Sequence, residues 1–177
     1  MSGTLLAYFE VPGPAVGAAR PRVVRLKNGA SHAFMPDKAV AWEQACAARA
    51  KESYRKLLHT APVSEAVEVA VWVHTSRPKR LRRKRDPRGP MPGATGKPDL
   101  DNVLKLVMDA LKKGGVISDD TMVCAAMVSR WHLAIDEGGY DTEPERVVVR
   151  VERPVYPAHW TYRPIPDDEA EMPPEEQ

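Results

Sequence analysis

The stretch K97-P-D-L-D-N-V-L-K-L-V-M-D-A-L-K-K-G-G-V-I-S-D-D120 sets the centre of the chain. Leu100, Val103, Leu104, Val107 and Leu111 recur at helical spacing, which predicts a helix from about Asp99 to Lys113 with one apolar face. Lys112 and Lys113 suit the negative end of its dipole, and Gly114-Gly115 stops it. V116-I-S-D-D120 follows that tight turn, and if it opens a strand running back along the helix, Asp119 and Asp120 can approach the helix start. An apolar helix face needs a surface to bury itself against, and the flanking sequence offers strands.

Upstream, Ala66 to Thr75 sets Val67, Val69, Val71 and Val73 against Glu68, Ala70, Trp72 and His74, the period of two of a strand with one face buried. Asp37 to about Leu58 is rich in helix formers, with Asp37 placed to cap a first helix. Leu5 to Val11 reads as the first strand, and K27-N-G-A between Val23–Leu26 and His32–Met35 reads as a hairpin. Downstream, strands are expected at about Met122 to Leu133 and Arg146 to Glu152, joined by the Gly- and acid-rich turn I-D-E-G-G-Y-D. The order predicts an α+β domain with a small mixed β-sheet covered by two helices, spanning residues 1–155. Residues 156–177, rich in proline and acid, are expected to be a disordered tail.

A chain of 177 residues suits one domain with a real core. No apolar run approaches the roughly 18 to 20 residues that span a bilayer, and no export signal is read at the N-terminus, so the expected location is the cytoplasm. Cys46 and Cys124 have no C-x-x-C partner and no histidine at a zinc spacing, and are expected to be reduced core residues. The five histidines are scattered singly and read as packed or surface residues. Nothing points to an organic cofactor; in particular there is no glycine-rich phosphate cradle.

Net charge +2 conceals an uneven distribution, because the last twelve residues hold six acids and no base. The body is therefore basic. Within R77-P-K-R-L-R-R-K-R-D-P-R88, eight Arg or Lys face the single acid Asp86, the footprint of a polyanion binder. Its proline and glycine content predicts an irregular loop over residues 76–97.

The carboxylates of the opening stretch admit two readings. Asp99 as a helix cap, Asp101 and Lys105 as a surface i,i+4 pair, and Asp119-Asp120 as a solvated turn would need no function. Alternatively, if the return strand brings Asp119 and Asp120 back to the helix start, three carboxylates within about 5 Å repel by roughly 3 kcal/mol per pair at an effective dielectric near 20. A hard divalent cation would offset that, and Mg²⁺ is the usual choice where phosphate oxygens complete the shell. The combination of D-x-D-N, Lys105, D-D and an adjacent basic loop favours the second reading.

At these residues the sequence resembles the RusA family of Holliday junction resolvases, bacterial or phage-encoded endodeoxyribonucleases. K97-P-D-L-D-N-V-L-K105, D109-A-L and I117-S-D-D-T-M-V are similar to the family's central motif, and A19-R-P-R22 with F34-M-P-D-K to its N-terminal pattern. The resemblance covers about residues 5 to 152 and departs at the long basic insert and the acidic tail. It implies a Mg²⁺ site made by Asp99, Asp101 and Asp120, which Mn²⁺ also serves, with Lys105 as the catalytic lysine and Asp119, the neighbouring acid, as a candidate further ligand. It further implies a homodimer that nicks four-way or other branched DNA during recombination and repair. Arg20, Arg22, Arg80, Arg82, Arg83, Lys84, Arg85 and Lys97 are the expected DNA contacts, and Leu81 is placed to wedge against an unstacked base. Trp42, Trp72 and Trp131 are expected in the core or the dimer interface. The rival readings are a junction-binding protein that does not cut, and a metal-dependent phosphotransferase of another kind.

Overall fold

The computed structural model describes residues 3–18, 22–25, 31–34, 36–93 and 96–155. The expected tail lies outside the described residues. The elements are β1 (Leu5–Pro12), β2 (Arg22–Arg25), β3 (Ser31–Phe34), α1 (Asp37–Lys56), β4 (Val67–Thr75), β5 (Met91–Pro92), α2 (Leu100–Lys113), β6 (Val123–His132) and β7 (Arg146–Glu152). Short 3₁₀ turns add Lys79–Leu81 and Asp120–Met122. No helix is long and apolar enough to cross a membrane among the described residues.

β2 and β3 form a separate antiparallel hairpin, and the other strands make a mixed sheet in the order β1-β7-β4-β6-β5. β4 and β6 are parallel neighbours, from Val67 opposite Val123 to Thr75 opposite His132. Parallel neighbours require the connecting chain to return across the sheet. That return is α2, so its start lies near the C-terminal ends of β4 and β6 and its end near their beginnings.

The expected alternation holds in β4, where Val67, Val69, Val71 and Val73 are buried. They join Val147, Val149 and Val151 of β7, and Leu6 and Phe9 of β1, under the two helices. α1 contributes Trp42, Cys46, Ala47, Ala50 and Tyr54. α1 begins at Pro36, whose side chain makes no capping bond, and Asp37 falls in its first turn rather than at the cap. The buried face of α2 is Val103, Leu106, Val107, Ala110 and Leu111. Leu106 and Ala110 join the expected stripe, while Leu100 and Leu104 are only partly buried, because α2 packs against α1 as well as the sheet. Gly114 allows that approach: a Cβ there would lie 2.7 Å from the Ala47 carbonyl oxygen. Gly115 takes φ +71°, a conformation costly for other residues.

The opposite face of the sheet bears Tyr8, Trp72, Met127 and Trp131, half-buried or exposed. Trp42 is in the core; Trp72 and Trp131 are not. Cys124 also departs from expectation. It lies exposed on β6, its thiol donating to the Val67 carbonyl, where β6 has no neighbour along its outer edge among the described residues. Cys46 is fully buried, and burial pushes its thiol up to about 12. Alkylation of the native protein is therefore expected to leave Cys46 unmodified by mass spectrometry until denaturant is added.

Candidate nuclease site

Asp99 occupies the N-cap position of α2 with extended backbone, yet its side chain makes no capping hydrogen bond. A carboxylate there normally accepts from an orphan backbone N–H of the first turn. Asp101 follows in that turn, where the helix dipole favours negative charge. Asp101, Lys105, Asp109 and Lys112 lie along one exposed flank of α2, opposite its buried face. Among the described residues, no ion pair within 4 Å engages Asp99, Asp101, Lys105, Asp109 or Asp120. The surface pair Asp101–Lys105 that would make these residues ordinary is not formed.

Asp119 is different. Its carboxylate caps the Asp120–Met122 turn by accepting from the Thr121 backbone N–H (3.1 Å) and hydroxyl (3.0 Å), and it pairs with Lys112 at 3.3 Å. Those Thr121 bonds, with Asp120 and Lys112 adding to them, hold its carboxyl well below the usual carboxylate range. Asp119 is thereby occupied by the turn.

The Lys112 pair also locates the acidic turn. Asp101 and Lys112 are about 16 Å apart along the helix at 1.5 Å per residue, and Lys112 is the residue that reaches Asp119. The expected return to the helix start does not occur within one chain. Ser118 donates to Val63 instead, and β6 then starts beside Val67, at the far end of the sheet from Asp99. Among the described residues no three His, Cys, Asp or Glu side chains come close enough together to hold a metal ion. The donor set still fits Mg²⁺, which characteristically takes one or two carboxylates and completes its shell with water and phosphate oxygens. Asp99 and Asp101, all-oxygen donors at the head of one helix, offer that.

The chain before α2 places cationic residues at the same end. The basic loop leaves β4 at Thr75 and comes back through β5, which pairs with β6 at Trp131 and His132. Apart from the 3₁₀ turn at Lys79–Leu81 and the two residues of β5, its described residues are irregular, but they are braced by the loop's own arginines. Arg77 is fully buried, its guanidinium donating to the carbonyls of Pro87, Gly89 and Leu133. Arg82 also turns inward, donating to the carbonyls of Arg77 and Gly139 and pairing with Asp141 at 2.7 Å. Arg82, one of the expected DNA contacts, is thus engaged within the protein, with Asp141, in the turn between β6 and β7, supplying the opposite charge. Arg80, Arg83, Lys84, Arg85 and Lys97 remain exposed, and Leu81 is half-buried.

Arg20 lies outside the described residues. Arg22 opens β2, but its side chain is outside the description. The chain leading to both is tied to the site, since Ala18 donates to the Asn102 carbonyl at 2.8 Å and Gly17 packs against Pro98 and Asn102. Arg130 of β6, which no sequence pattern singles out, binds the carbonyls of Gly96 and Pro98 immediately before Asp99.

Unpaired carboxylates and a lysine on one helix flank, beside a braced cationic loop, suit hydrolysis of a polyanionic phosphodiester. Comparison with known proteins agrees. Residues 12–152 match the family model described as Endodeoxyribonuclease RusA. The chain is also 32% identical over 124 residues to the uncharacterized protein YqaN of Bacillus subtilis (strain 168), covering 70% of this chain and 86% of that protein. With the match spanning nearly every element of the sheet and both helices, the chain belongs to the RusA endodeoxyribonuclease family.

Proposed function

We propose that the chain is a Mg²⁺-dependent, homodimeric nuclease that resolves four-way DNA junctions in the cytoplasm by paired nicks, with Mn²⁺ able to replace Mg²⁺. The observation that carries this is the Asp99 carboxylate, which sits at a helix N-cap, leaves the capping bond unmade, and stands beside the cationic loop with Asp101 and Lys105, neither of them ion-paired among the described residues.

Asp99 and Asp101 would hold the ion, which when bound supplies a polarised phosphate and a more acidic water. Lys105, one turn on from Asp101, keeps its ammonium toward the phosphate and offsets its charge. Arg80, Arg83, Lys84 and Arg85 neutralise backbone phosphates flanking the cut. Asp119 shapes the turn that carries Asp120 and is not assigned as a ligand.

Asp120 belongs to the site through the second copy. From Val123 to Ser129 the outer edge of β6 has no strand partner among the described residues, and V-C-A-A-M-V-S carries no charge to discourage pairing. Antiparallel pairing of two such edges about a two-fold axis sets the beginning of one β6 beside the end of the other. Asp120 of one copy then approaches the end where Arg130 holds Pro98, and so approaches Asp99 and Asp101 of its partner. The symmetry yields two sites, as a pair of opposed nicks requires.

The test is to incubate the protein with a mobile four-way junction and a matched linear duplex, with and without Mg²⁺. Paired Mg²⁺-dependent nicks on the junction are expected. Binding without nicking, in Mg²⁺ and in Mn²⁺, would instead identify a non-catalytic junction binder. The cationic loop has its own signature. Replacing Arg80, Arg83, Lys84 and Arg85 by Gln should make the dependence of log affinity on log salt shallower by roughly 0.9 for each phosphate no longer neutralised. Arg82→Gln should leave that slope nearly unchanged.

A further inference from the structure

We infer that Arg130 is a positioning residue for the carboxylates at the head of α2, acting through the backbone of residues 96–99. Its activity and Mn²⁺ readouts rest on the proposed nuclease site, whereas its hydrogen-exchange readout does not. Arg130 projects from β6 and donates one terminal nitrogen to the Gly96 carbonyl and the other to the Pro98 carbonyl. Its own carbonyl accepts from the Gly93 N–H at 2.9 Å. One residue thus clasps the chain on both sides of the approach to Asp99.

The fit around the side chain is tight. A Cβ at Gly93 would fall 2.7 Å from Arg130 Cγ, and one at Gly96 would fall 3.1 Å from its Nη1. The two glycines form a slot for the arginine stem and fork. Asp99 has no capping bond of its own to orient it, and among the described residues its carbonyl alone is engaged, accepting from Val103 at 3.1 Å. The Pro98 carbonyl held by Arg130 restrains the direction in which the chain enters α2, a restraint that no capping bond of Asp99 itself supplies. Both terminal nitrogens of Arg130 donate to carbonyls, so the side chain serves the protein's backbone.

A planar guanidinium reaches two carbonyls at a fixed spacing, whereas a lysine ammonium is a single point on a flexible stem. This separates positioning from mere positive charge. Groups that orient metal-binding carboxylates typically cost 10–100-fold in metal affinity or activity when lost.

The experiment compares wild type with Arg130→Lys, Arg130→Met and Gly96→Ala, the last retaining the arginine but crowding its Nη1. Thermal melts first confirm folding, and Gly96→Ala serves if the Arg130 variants do not fold. Hydrogen exchange in peptides covering Pro98 to Leu104 should accelerate about tenfold or more in each variant. Half-saturation by Mn²⁺, read by paramagnetic resonance without DNA, should rise by roughly 10–100-fold. In junction cleavage kcat should fall by a similar factor while KM changes by less than about twofold, and Lys should not rescue it. Unchanged exchange at the head of α2, or full recovery with Lys, would overturn the assignment. If wild type cuts no DNA but exchange and Mn²⁺ binding respond as stated, the nuclease reading fails and the role of Arg130 stands.

Discussion

Asp101→Asn is expected to lower Mg²⁺-dependent nicking of a four-way junction by about 10³-fold or more, with junction affinity unchanged or slightly tighter. The loss corresponds to roughly 4 kcal/mol of transition-state stabilisation, the scale on which a metal polarises a phosphate. Tighter binding is the expected direction because a negative charge facing DNA is removed. Asp120→Asn should be similarly inactive although its residue lies toward the other end of α2. Because the proposed site is shared between two copies, the two inactive proteins should complement each other. Mixed in equal amounts and allowed to exchange, half the dimers are mixed, and each mixed dimer holds one intact site and one doubly altered site. About a quarter of wild-type sites then return, and they cut one strand rather than two. If mixed dimers form and no nicking returns, the shared site is wrong and Asp120 acts within its own chain or not at all.

The second large effect is on stability. Arg77→Met removes the buried guanidinium that binds the carbonyls of Pro87, Gly89 and Leu133. Methionine fills much of the volume but leaves three acceptors without their donor, each worth about 1–3 kcal/mol when buried. The expected loss is about 3–5 kcal/mol, a large part of the 5–15 kcal/mol typical of a whole domain. Thermal denaturation should show a fall in midpoint on the order of 10 °C, and trypsin should reach Arg80 to Arg85 faster than in wild type. Junction affinity should also weaken although Arg77 touches no DNA, since the exposed cations lose their fixed presentation. A midpoint within about 2 °C of wild type would show that the staple is not needed to hold the loop.

The two arginine staples mark where sequence reasoning stops. In the segment from Arg77 to Arg88 every cation has the same local signature, and a run of charges gives no means of ranking them. Arg82 is drawn inward by Asp141, 59 positions away, and Arg77 by carbonyls that converge only when the loop closes. Arg130 is likewise one charged residue in a strand until Gly96 and Pro98 fold against it. Each of these roles depends on a partner distant in sequence, and side-chain chemistry alone does not select one.

What the sequence determined by itself is what repeats locally. Apolar spacing marks α2, alternation marks β4, Gly114-Gly115 marks the stop, and D-x-D-N with Lys105 and D-D carries the family resemblance. Those signals arise from backbone geometry within a few residues and need no long-range information. The tertiary structure alone decided that β4 and β6 run parallel, and therefore that α2 spans the sheet from one end to the other. That connection sets Asp119 and Asp120 toward the opposite end of the helix from Asp99 and Asp101 and leaves the outer edge of β6 from Val123 to Ser129 without a strand partner among the described residues. Parallel pairing is a property of how the chain returns across the sheet, and strand patterns read identically whichever way the strand runs.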